Sequence, residues 1–300
     1  MKKFPIIIDT DPGIDDALAI LLAFQCKKLD IKLITTVAGN VGIETATKNT
    51  LFLVKKYGYE IPVVKGANTP LVREPINASD VHGNSGLGNF KKDNTSANLS
   101  GEDAPKAISA ILKSSLEPII IIALGPLTNI AKLIQNHHDC LYNIKRMYLM
   151  TGSFDGKGNI VKHAEFNAFA DPEALDIVLK SGLDIVLSPM ELGQDSAISK
   201  KVFEEMEITS EKDMMVTEMI EGGHDTVVKG KFGLHDPNTI LALIKPSLYR
   251  FRKCNVFFST DKKAYGKMKI QINSKGRLTV QIIRNIEHTK KYFLKQIYKD

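Results

Sequence analysis

Four aspartates lie close together near the start of the chain, where an apolar run ends. Asp9, Asp11, Asp15 and Asp16 fall within eight consecutive positions, directly after residues 6–8, which are all isoleucine. An acid in the first turn of a helix stabilises the positive end of that helix, which accounts for Asp15 or Asp16. It does not account for Asp9 and Asp11 at the strand end, because buried carboxylates at close spacing repel one another unless a cation neutralises them. The spacing therefore predicts a cation-binding site.

Other polar segments follow apolar runs of strand length in the same way. Residues 31–37 run into Asn40, residues 118–124 run into the segment 125–129, and residues 146–150 run into Thr151. Each segment alone is typical of an ordinary turn. In open α/β sheets, however, ligands bind beyond the carboxyl ends of the strands. Together the segments predict one polar rim at that edge of the sheet.

Two aspartates later in the chain each precede a proline that opens a helical pattern. Asp171 is followed by Pro172, and Asp236 is followed by Pro237. Both fit a helix N-cap with proline at the first helical position. For Asp171 we favour this structural role. For Asp236 we favour a functional role, because its neighbour His235 is the side-chain type that changes charge near neutral pH.

The candidate ligands for the cation are all oxygen donors. No pair of Cys or His residues stands at metal-binding spacing, and Cys26, Cys140 and Cys254 are far apart without a CxxC motif. Oxygen ligands suit a hard ion such as calcium or magnesium rather than zinc or copper, and ligand type alone leaves both hard ions open. The odd number of cysteines also argues against a disulfide framework and favours a reducing cytoplasm.

Strand-length apolar runs alternate with helical patterns through the first two thirds of the chain. The runs are apolar on both faces, which is typical of buried parallel strands. The pattern predicts an α/β fold with a mostly parallel, doubly wound (Rossmann-like) sheet flanked by helices. The predicted strands cover residues 4–8, 31–37, 62–64, 118–124, 146–150 and 183–187, and the predicted helices cover residues 15–27, 44–57, 103–114, 127–136 and 172–180.

After residue 190 the pattern changes to a small additional C-terminal strand and helix region. The chain has 300 residues, of which 43% are hydrophobic, and this suits a single domain over residues 1–300. Residues 65–102 and 222–234 show little periodicity and predict long loops that are functional or disordered. The predicted C-terminal helices cover residues 200–207, 211–221, 237–244 and 287–298, and the predicted strands cover residues 249–259, 267–273 and 279–284.

Charge and hydropathy limit the expected partners. The net charge of +6 is spread along the chain mostly as lysine, which favours a solvated surface and no nucleic-acid partner. No run of 18 apolar residues occurs, so we expect no membrane span. Lys2 and Lys3 precede an apolar run too short for a secretory signal, so we expect a cytoplasmic protein.

These segments, in this order, resemble the inosine-uridine-preferring nucleoside hydrolase family over nearly the whole chain. The most specific of them is Asp-Thr-Asp-Pro-Gly-Ile-Asp-Asp-Ala at residues 9–17. The other matching stretches are residues 38–40, 71–75, 81–88, 125–129, 164–167, 171–174 and 235–237. The resemblance implies an enzyme that cuts the N-glycosidic bond of a ribonucleoside, pyrimidine or purine, to give free base and ribose.

The resemblance also implies a ligand set. It places a calcium ion between Asp11, Asp16, Asp236 and the main-chain carbonyl of Leu124, with the 2′ and 3′ hydroxyls of the ribose as further ligands. Asp11 is implied as the base that takes a proton from the attacking water, which the ion activates. The reaction would pass through a state resembling an oxocarbenium ion, so negative charge below the sugar would stabilise it.

The remaining implied roles concern the two ends of the nucleoside. His235 is our candidate acid for the departing base, and His82 is placed near the base as a binding residue before a catalytic one. Residues 222–226 lack the aromatic side chains usual in the family's loop before His235, and the nearest aromatic residue is Phe232. The implied ribose contacts are Asp15, Asn40, Asn159, Glu165 and Asn167.

Two alternatives fit parts of the sequence. A haloacid dehalogenase-type phosphohydrolase also has two aspartates after a buried strand, but Gly13 stands where that family normally has Thr or Val. A non-catalytic nucleoside-binding protein would keep the fold, but it would not need the full set of Asp11, Asp16, His235 and Asp236. The resemblance further implies a homodimer or homotetramer.

Overall fold

A nine-stranded sheet runs through the part of the chain that the computed structural model describes, residues 3–92, 98–223 and 229–298. Its strand order is β10-β9-β11-β6-β5-β4-β1-β2-β3, and a separate two-stranded sheet pairs β7 with β8. The strands are β1 (Phe4–Thr10), β2 (Leu29–Thr36), β3 (Val63–Lys65), β4 (Ile119–Ala123), β5 (Ile144–Met150), β6 (Ile185–Ser188), β7 (Ile198–Ser199), β8 (Lys231–Phe232), β9 (Tyr249–Phe258), β10 (Met268–Ile272) and β11 (Leu278–Ile283).

The parallel part of the sheet is buried on both faces. Strand β1 lies between β2 and β4 and is parallel to both. Ile6 and Ile8 pack into one apolar cluster and Ile7 packs into the other, because successive side chains of a strand point to opposite faces. All three side chains are fully buried. This arrangement confirms the predicted doubly wound α/β fold.

Helices cover the two faces of the sheet. Residues of α1, α2, α10, α11 and α12 contribute to the first apolar cluster, and residues of α4, α5 and α7 contribute to the second. The helices are α1 (Ile14–Gln25), α2 (Ile43–Lys56), α3 (Ser79–His82), α4 (Ala104–Ser114), α5 (Thr128–Asn136), α6 (Phe166–Ala170), α7 (Pro172–Lys180), α8 (Met190–Asp195), α9 (Lys200–Glu204), α10 (Glu211–Gly222), α11 (His235–Ile244) and α12 (Ile286–Ile297). Short 3-10 helices at His138–Asn143 and Pro246–Leu248 complete the pattern.

The C-terminal strands extend the main sheet. Strand β11 pairs parallel with β6, and β9 pairs antiparallel with both β11 and β10. The last helix, α12, packs onto the first apolar cluster through Phe293 and Ile297. The predicted C-terminal region therefore belongs to the same sheet as the N-terminal half.

The loops contain more regular structure than the sequence indicates. The segment 65–102 holds the four-residue helix α3, and the segments after β5 and β6 hold α6 and α8. The predicted helix at residues 200–207 is shorter, since α9 ends at Glu204. Among residues 3–92, 98–223 and 229–298, every helix is too short or too polar to cross a bilayer.

Candidate active site

The predicted acids converge at the carboxyl end of the parallel strands. Asp15 and Asp16 lie in the first turn of α1, which follows β1, and Asp236 lies in the first turn of α11, which packs against α1. One carboxylate oxygen from each of these three residues lies within 4.8 Å of the other two. Asp16 and Asp236 were both predicted as metal ligands, whereas Asp15 was predicted as a ribose contact.

Asp16 is held rigidly by the loop that it follows. Its Oδ1 accepts a hydrogen bond from Thr10 Oγ1 at 2.5 Å, and its Oδ2 accepts from the main-chain N–H of Gly13 at 3.1 Å. The side-chain amide of Asn40 donates to the same Oδ2 at 2.9 Å. Asp16 therefore caps the start of α1 and at the same time presents its carboxylate to the acidic cluster.

Asp11 has one bound and one unbound oxygen. Its Oδ2 accepts from the main-chain N–H of Asn40 at 2.6 Å. Its Oδ1 is buried and has no hydrogen-bond partner among the described residues. A Cβ atom on Gly125 would lie 2.4 Å from this Oδ1, and one on Gly39 would lie 2.0 Å from Oδ2, so glycine at both positions makes room for the carboxylate.

Burial and mutual repulsion dominate the electrostatics of the cluster. Burial, followed by the charge of Asp16, raises the pKa of Asp11 and the pKa of Asp236 well above the ordinary value. The same two causes raise the pKa of Asp15 to about 7. A bound cation would relieve this repulsion, and the all-oxygen donor set suits a hard divalent ion. The residues present therefore fit a metal ion.

A cavity of about 330 Å³ opens beside the acidic cluster. Asp11 and Asp16 adjoin it through Asn40, which binds both of them and lines the cavity. Among the described residues, no Lys or Arg lines it. The predicted site residues that line it are Asp15, Asn40, His82, Leu124, Asn159, Glu165, Asn167, His235 and Asp236.

His82 lies at the end of α3 as a buried, neutral imidazole. Its Nδ1 accepts from the main-chain N–H of Ile14 at 3.2 Å and lies 4.0 Å from Asp15 Oδ1. Burial lowers the pKa of His82 to about 4. With Nδ1 acting as an acceptor, the proton of the neutral ring sits on Nε2. This agrees with a binding role for His82 rather than proton transfer at neutral pH.

His235 begins α11 and lines the same cavity. Its Nδ1 is buried without a hydrogen-bond partner among the described residues. A Cβ atom on Gly193 would lie 2.2 Å from this nitrogen, so the ring packs directly against the glycine backbone. The charge of His235 also acts to lower the pKa of Asp15, after the larger opposing effects of burial and Asp16. The imidazole therefore lies close to the acidic cluster.

Glu165 and Asn167 connect the ends of β4 and β5 to α6. Glu165 caps α6 by accepting from the main-chain N–H groups of Asn167 at 2.8 Å and Ala168 at 3.1 Å. Burial raises the pKa of Glu165 to about 7. The side-chain amide of Asn167 donates to the carbonyl of Leu124 at 2.6 Å and to that of Met150 at 3.0 Å. These bonds fix the Leu124 carbonyl at the edge of the cavity.

Two further predictions concern Asn159 and Asp171. Asn159 Oδ1 accepts from the main-chain N–H of Phe166 at 2.9 Å, and Asn159 lines the cavity. Asp171 caps α7 by accepting from the N–H of Ala174 at 3.0 Å, and it also accepts from Thr128 Oγ1 at 2.6 Å. The structural role favoured for Asp171 is confirmed.

Several cavity residues were not predicted from the sequence. Asn77, Asp80 and Val81 line the wall formed by α3 and the residues before it. Asn77 Oδ1 accepts from both the N–H and the hydroxyl of Ser79, the first residue of α3, and so forms an Asx turn directly before the helix. Phe232, the nearest aromatic residue before His235, also lines the cavity. Residues 224–226 of the loop discussed above lie outside the described residues.

The chain matches known proteins over most of its length. The family model for inosine-uridine preferring nucleoside hydrolase matches residues 6–293. The non-specific ribonucleoside hydrolase RihC of Escherichia coli is 38% identical over 261 residues, which cover 86% of this chain and 85% of that protein. The protein of the same name from Salmonella typhimurium is 37% identical over 256 residues, covering 85% and 83% of the two chains.

Solved structures of similar proteins share the fold. A plant nucleoside hydrolase, the PpNRh1 enzyme, superposes with a TM-score of 0.92 at 28% identity and covers 99% of both chains. A purine-preferring ribonucleoside hydrolase from Gardnerella vaginalis superposes with a TM-score of 0.90 at 22% identity and covers 98% of both chains. The second comparison supports the fold alone.

Proposed function

The chain belongs to the inosine-uridine preferring nucleoside hydrolase family, and we propose how its residues perform the hydrolysis of the N-glycosidic bond of ribonucleosides. The observation that carries the proposal is the buried acidic cluster at the edge of the cavity. Three neighbouring carboxylates without a neutralising cation would be costly to bury. The cluster therefore suits a metal ion that takes part in substrate binding.

We propose Ca²⁺ as the ion, held by Asp11, Asp16, Asp236 and the carbonyl of Leu124. Support comes from the close approach of Asp16 and Asp236 and from the burial and mutual repulsion that raise the pKa of Asp11 and of Asp236. When bound, such an ion would lower the pKa of nearby water and would bind the vicinal hydroxyls of the ribose. We propose that Asp15, which presents an oxygen to the same cluster, accepts a hydrogen bond from a ribose hydroxyl.

Asp11 is proposed as the general base. Its Oδ2 is held by Asn40, which leaves Oδ1 to accept a proton from the attacking water. The carboxylates below the sugar then stabilise the positive charge that develops at C1′. Asp11 thus contributes a proton acceptor, and the neighbouring carboxylates contribute a fixed negative potential.

His235 is proposed as the general acid that protonates the departing base. It lines the cavity and begins a helix whose first turn carries Asp236. His82 is proposed to bind the nucleoside through its Nε2–H, since its pKa of about 4 keeps the ring neutral. The proposed ribose contacts are Asp15, Asn40, Asn159, Glu165 and Asn167, all of which line the cavity.

Family membership also underlies two proposals about the state of the protein. We propose that it is a homodimer or homotetramer and that it acts in the cytoplasm. Size-exclusion chromatography with light scattering measures the first. A mass of about one chain, 33.2 kDa, would contradict it.

An assay with and without a chelator tests the proposed function. The protein is incubated with uridine, cytidine, inosine and adenosine, and reducing sugar and free phosphate are measured. We expect ribose release that stops with EDTA and returns with excess Ca²⁺. Phosphate release from a nucleoside monophosphate would instead favour a phosphohydrolase, and tight nucleoside binding without turnover would favour a non-catalytic binding protein.

A further inference from the structure

We propose that Asn49 is a positioning residue for the hydrolysis, although it lines no part of the cavity among the described residues. It lies on α2 and is fully buried. We infer that it holds residues 11–14, here called the aspartate loop, against residues 82–86, here called the His82 segment. The inference rests on the proposed function, because it assigns Asn49 an effect on the groups that bind the nucleoside.

Asn49 joins the two segments through one amide nitrogen. Its Nδ2 donates to the carbonyl of Pro12 at 2.9 Å and to the carbonyl of Ser85 at 2.9 Å. Pro12 follows Asp11 in the aspartate loop, and Ser85 follows His82 by three positions. Both hydrogens of the amide are therefore used to link these segments.

The orientation of the amide follows from its partners. Main-chain carbonyls only accept hydrogen bonds, so the group that faces Pro12 and Ser85 must be the NH₂. Asn49 Oδ1 accepts from the ammonium of Lys92, which only donates. All three polar contacts of the amide agree with a single orientation, which makes Asn49 a rigid connection.

The two segments also pack directly on each other. His82 Nδ1 accepts from the N–H of Ile14, and a Cβ atom on Gly13 would lie 2.7 Å from the same nitrogen. Gly86 has a φ of +76°, and a Cβ atom there would lie 2.8 Å from both Asn49 Nδ2 and the carbonyl of Pro12. A shift of one segment would therefore displace the other, and displacements of about 1 Å near reacting groups cost about 10²-fold in rate.

Asn143 offers a matched control in the same chain. Its Nδ2 also donates to two main-chain carbonyls, those of Leu112 at 2.7 Å and Ser115 at 2.9 Å. It is buried as well, with 8% of its surface exposed. Because these carbonyls belong to the end of α4 and the residue after it, the same substitution there perturbs the fold without touching the aspartate loop or the His82 segment.

The test compares Asn49→Asp with Asn143→Asp, with the two alanine variants as a second pair if an aspartate variant does not fold. We expect similar falls in melting temperature for both members of a pair. At a temperature where both are folded, we expect the Asn49 variant to lose about 10- to 100-fold in kcat/KM for uridine or inosine and the Asn143 variant to lose about twofold or less. Adding His82→Ala to the Asn49 variant should cost less than the product of the two single losses.

Imidazole NMR provides a readout that does not depend on turnover. We expect the Nδ1 and Nε2 signals of His82 to shift in the Asn49 variant and to stay unchanged in the Asn143 variant. The inference is overturned if the His82 signals are unaffected, if both variants lose kcat/KM equally, or if the double variant shows fully multiplicative losses. A folded wild-type protein that releases no ribose would count against the proposed function, and the NMR comparison would still decide the role of Asn49.

Discussion

At the scale of single residues, the carboxylates differ in how much of their bonding capacity the protein uses. Both oxygens of Asp16 accept hydrogen bonds, whereas Oδ1 of Asp11 accepts none among the described residues. A carboxylate with one fixed and one unbound oxygen is suited to accept a proton at a defined position. This difference is the reason for assigning the base to Asp11 and a purely ligating role to Asp16.

Replacing Asp11 should separate activity from stability. We predict that Asp11→Asn lowers kcat by about 10³-fold or more, because the proton acceptor is lost. In EDTA the same variant should unfold at a higher temperature than the wild type, because burial and repulsion from Asp16 raise the pKa of Asp11 and oppose its charge. Steady-state kinetics and thermal unfolding measure the two effects. Near-normal turnover in the variant would remove Asp11 from the role of base.

Replacing His235 should affect substrates according to their leaving group. We predict that His235→Ala lowers kcat for uridine and inosine by about 10²- to 10⁴-fold, because the departing base is no longer protonated. For a ribonucleoside analogue whose leaving group departs as a stable anion, the kcat of the His235→Ala variant should fall far less. His82→Ala serves as the control, since loss of a binding residue should weaken the binding of both substrates alike. Equal losses for both substrates in His235→Ala would contradict the acid role.

Glu165 should make stability depend on pH. Burial raises its pKa from 4.5 to about 7, so the folded state binds more protons than the unfolded state between these values. Stability contributed by this group is therefore present below pH 4.5 and is lost as pH rises towards 7. As pH rises across this window, the free energy of unfolding of the wild type should fall by up to about 3 kcal/mol relative to that of Glu165→Gln. Urea unfolding at several pH values measures the difference, and a constant difference would contradict the expectation.

At the scale of elements, the site combines short helices such as α3 and α6 with the ends of longer strands and helices. The N-terminal ends of α1 and α11 carry Asp16 and Asp236 in their first turns. The long strands and helices were predicted from periodicity to within a few residues. Helices α3 and α6 were missed, because four or five residues are too few to show a period.

The residues around the site were likewise predicted only in part from the sequence. Asp11, Asp16, His82 and Asp236 were predicted from motifs. In the structure Asp16 and Asp236 share the acidic cluster, His82 lines the cavity, and the main-chain N–H of Asp11 donates to Asp16. Asn49 could not be recognised, because its importance comes from two carbonyls that are distant in sequence. Every residue carries a main-chain carbonyl, so the residue types at positions 12 and 85 do not show that these carbonyls accept from Asn49, and only the folded chain reveals it.

The N-caps of α7 and α4 allow a test of how burial changes the contribution of an N-cap to the free energy of unfolding. Asp171 accepts from Ala174, Thr128 and Leu71, whereas Asp103 is exposed and caps α4 through Lys106 alone. We predict that Asp171→Ala lowers the free energy of unfolding by about 2–3 kcal/mol and Asp103→Ala by about 1 kcal/mol, because buried donors are left unpaired only in the first. Chemical denaturation measures both, and equal losses would contradict the argument.

At the scale of the whole molecule, the charge of the site is opposite to that of the chain. The protein carries a net charge of +6, yet Asp15, Asp80, Glu165 and Asp236 line the cavity and, among the described residues, no Lys or Arg does. Among the described residues, no Lys or Arg belongs to the buried set, in line with the solvated basic surface expected from the sequence. The cavity therefore suits a neutral substrate and a cation, and it disfavours an anion.

This separation of charge predicts selectivity against nucleotides. We expect uridine 5′-monophosphate to be hydrolysed at least about 10²-fold more slowly than uridine, because the phosphate would lie near carboxylates without a basic partner. Parallel kcat/KM measurements under saturating Ca²⁺ test this. Comparable values for the two substrates would show that the acidic lining does not control access.

The most direct test of the account is the calcium content of the folded protein. Calorimetric titration of Ca²⁺ into metal-free protein, with mass spectrometry of the bound metal, should give about one tightly held ion per chain. Asp16→Asn and Asp236→Asn should each weaken binding by at least about 10-fold, while Asp171→Asn should bind as the wild type does. Wild-type protein that binds no divalent ion and still releases ribose would contradict the central claim that the acidic cluster works through a metal.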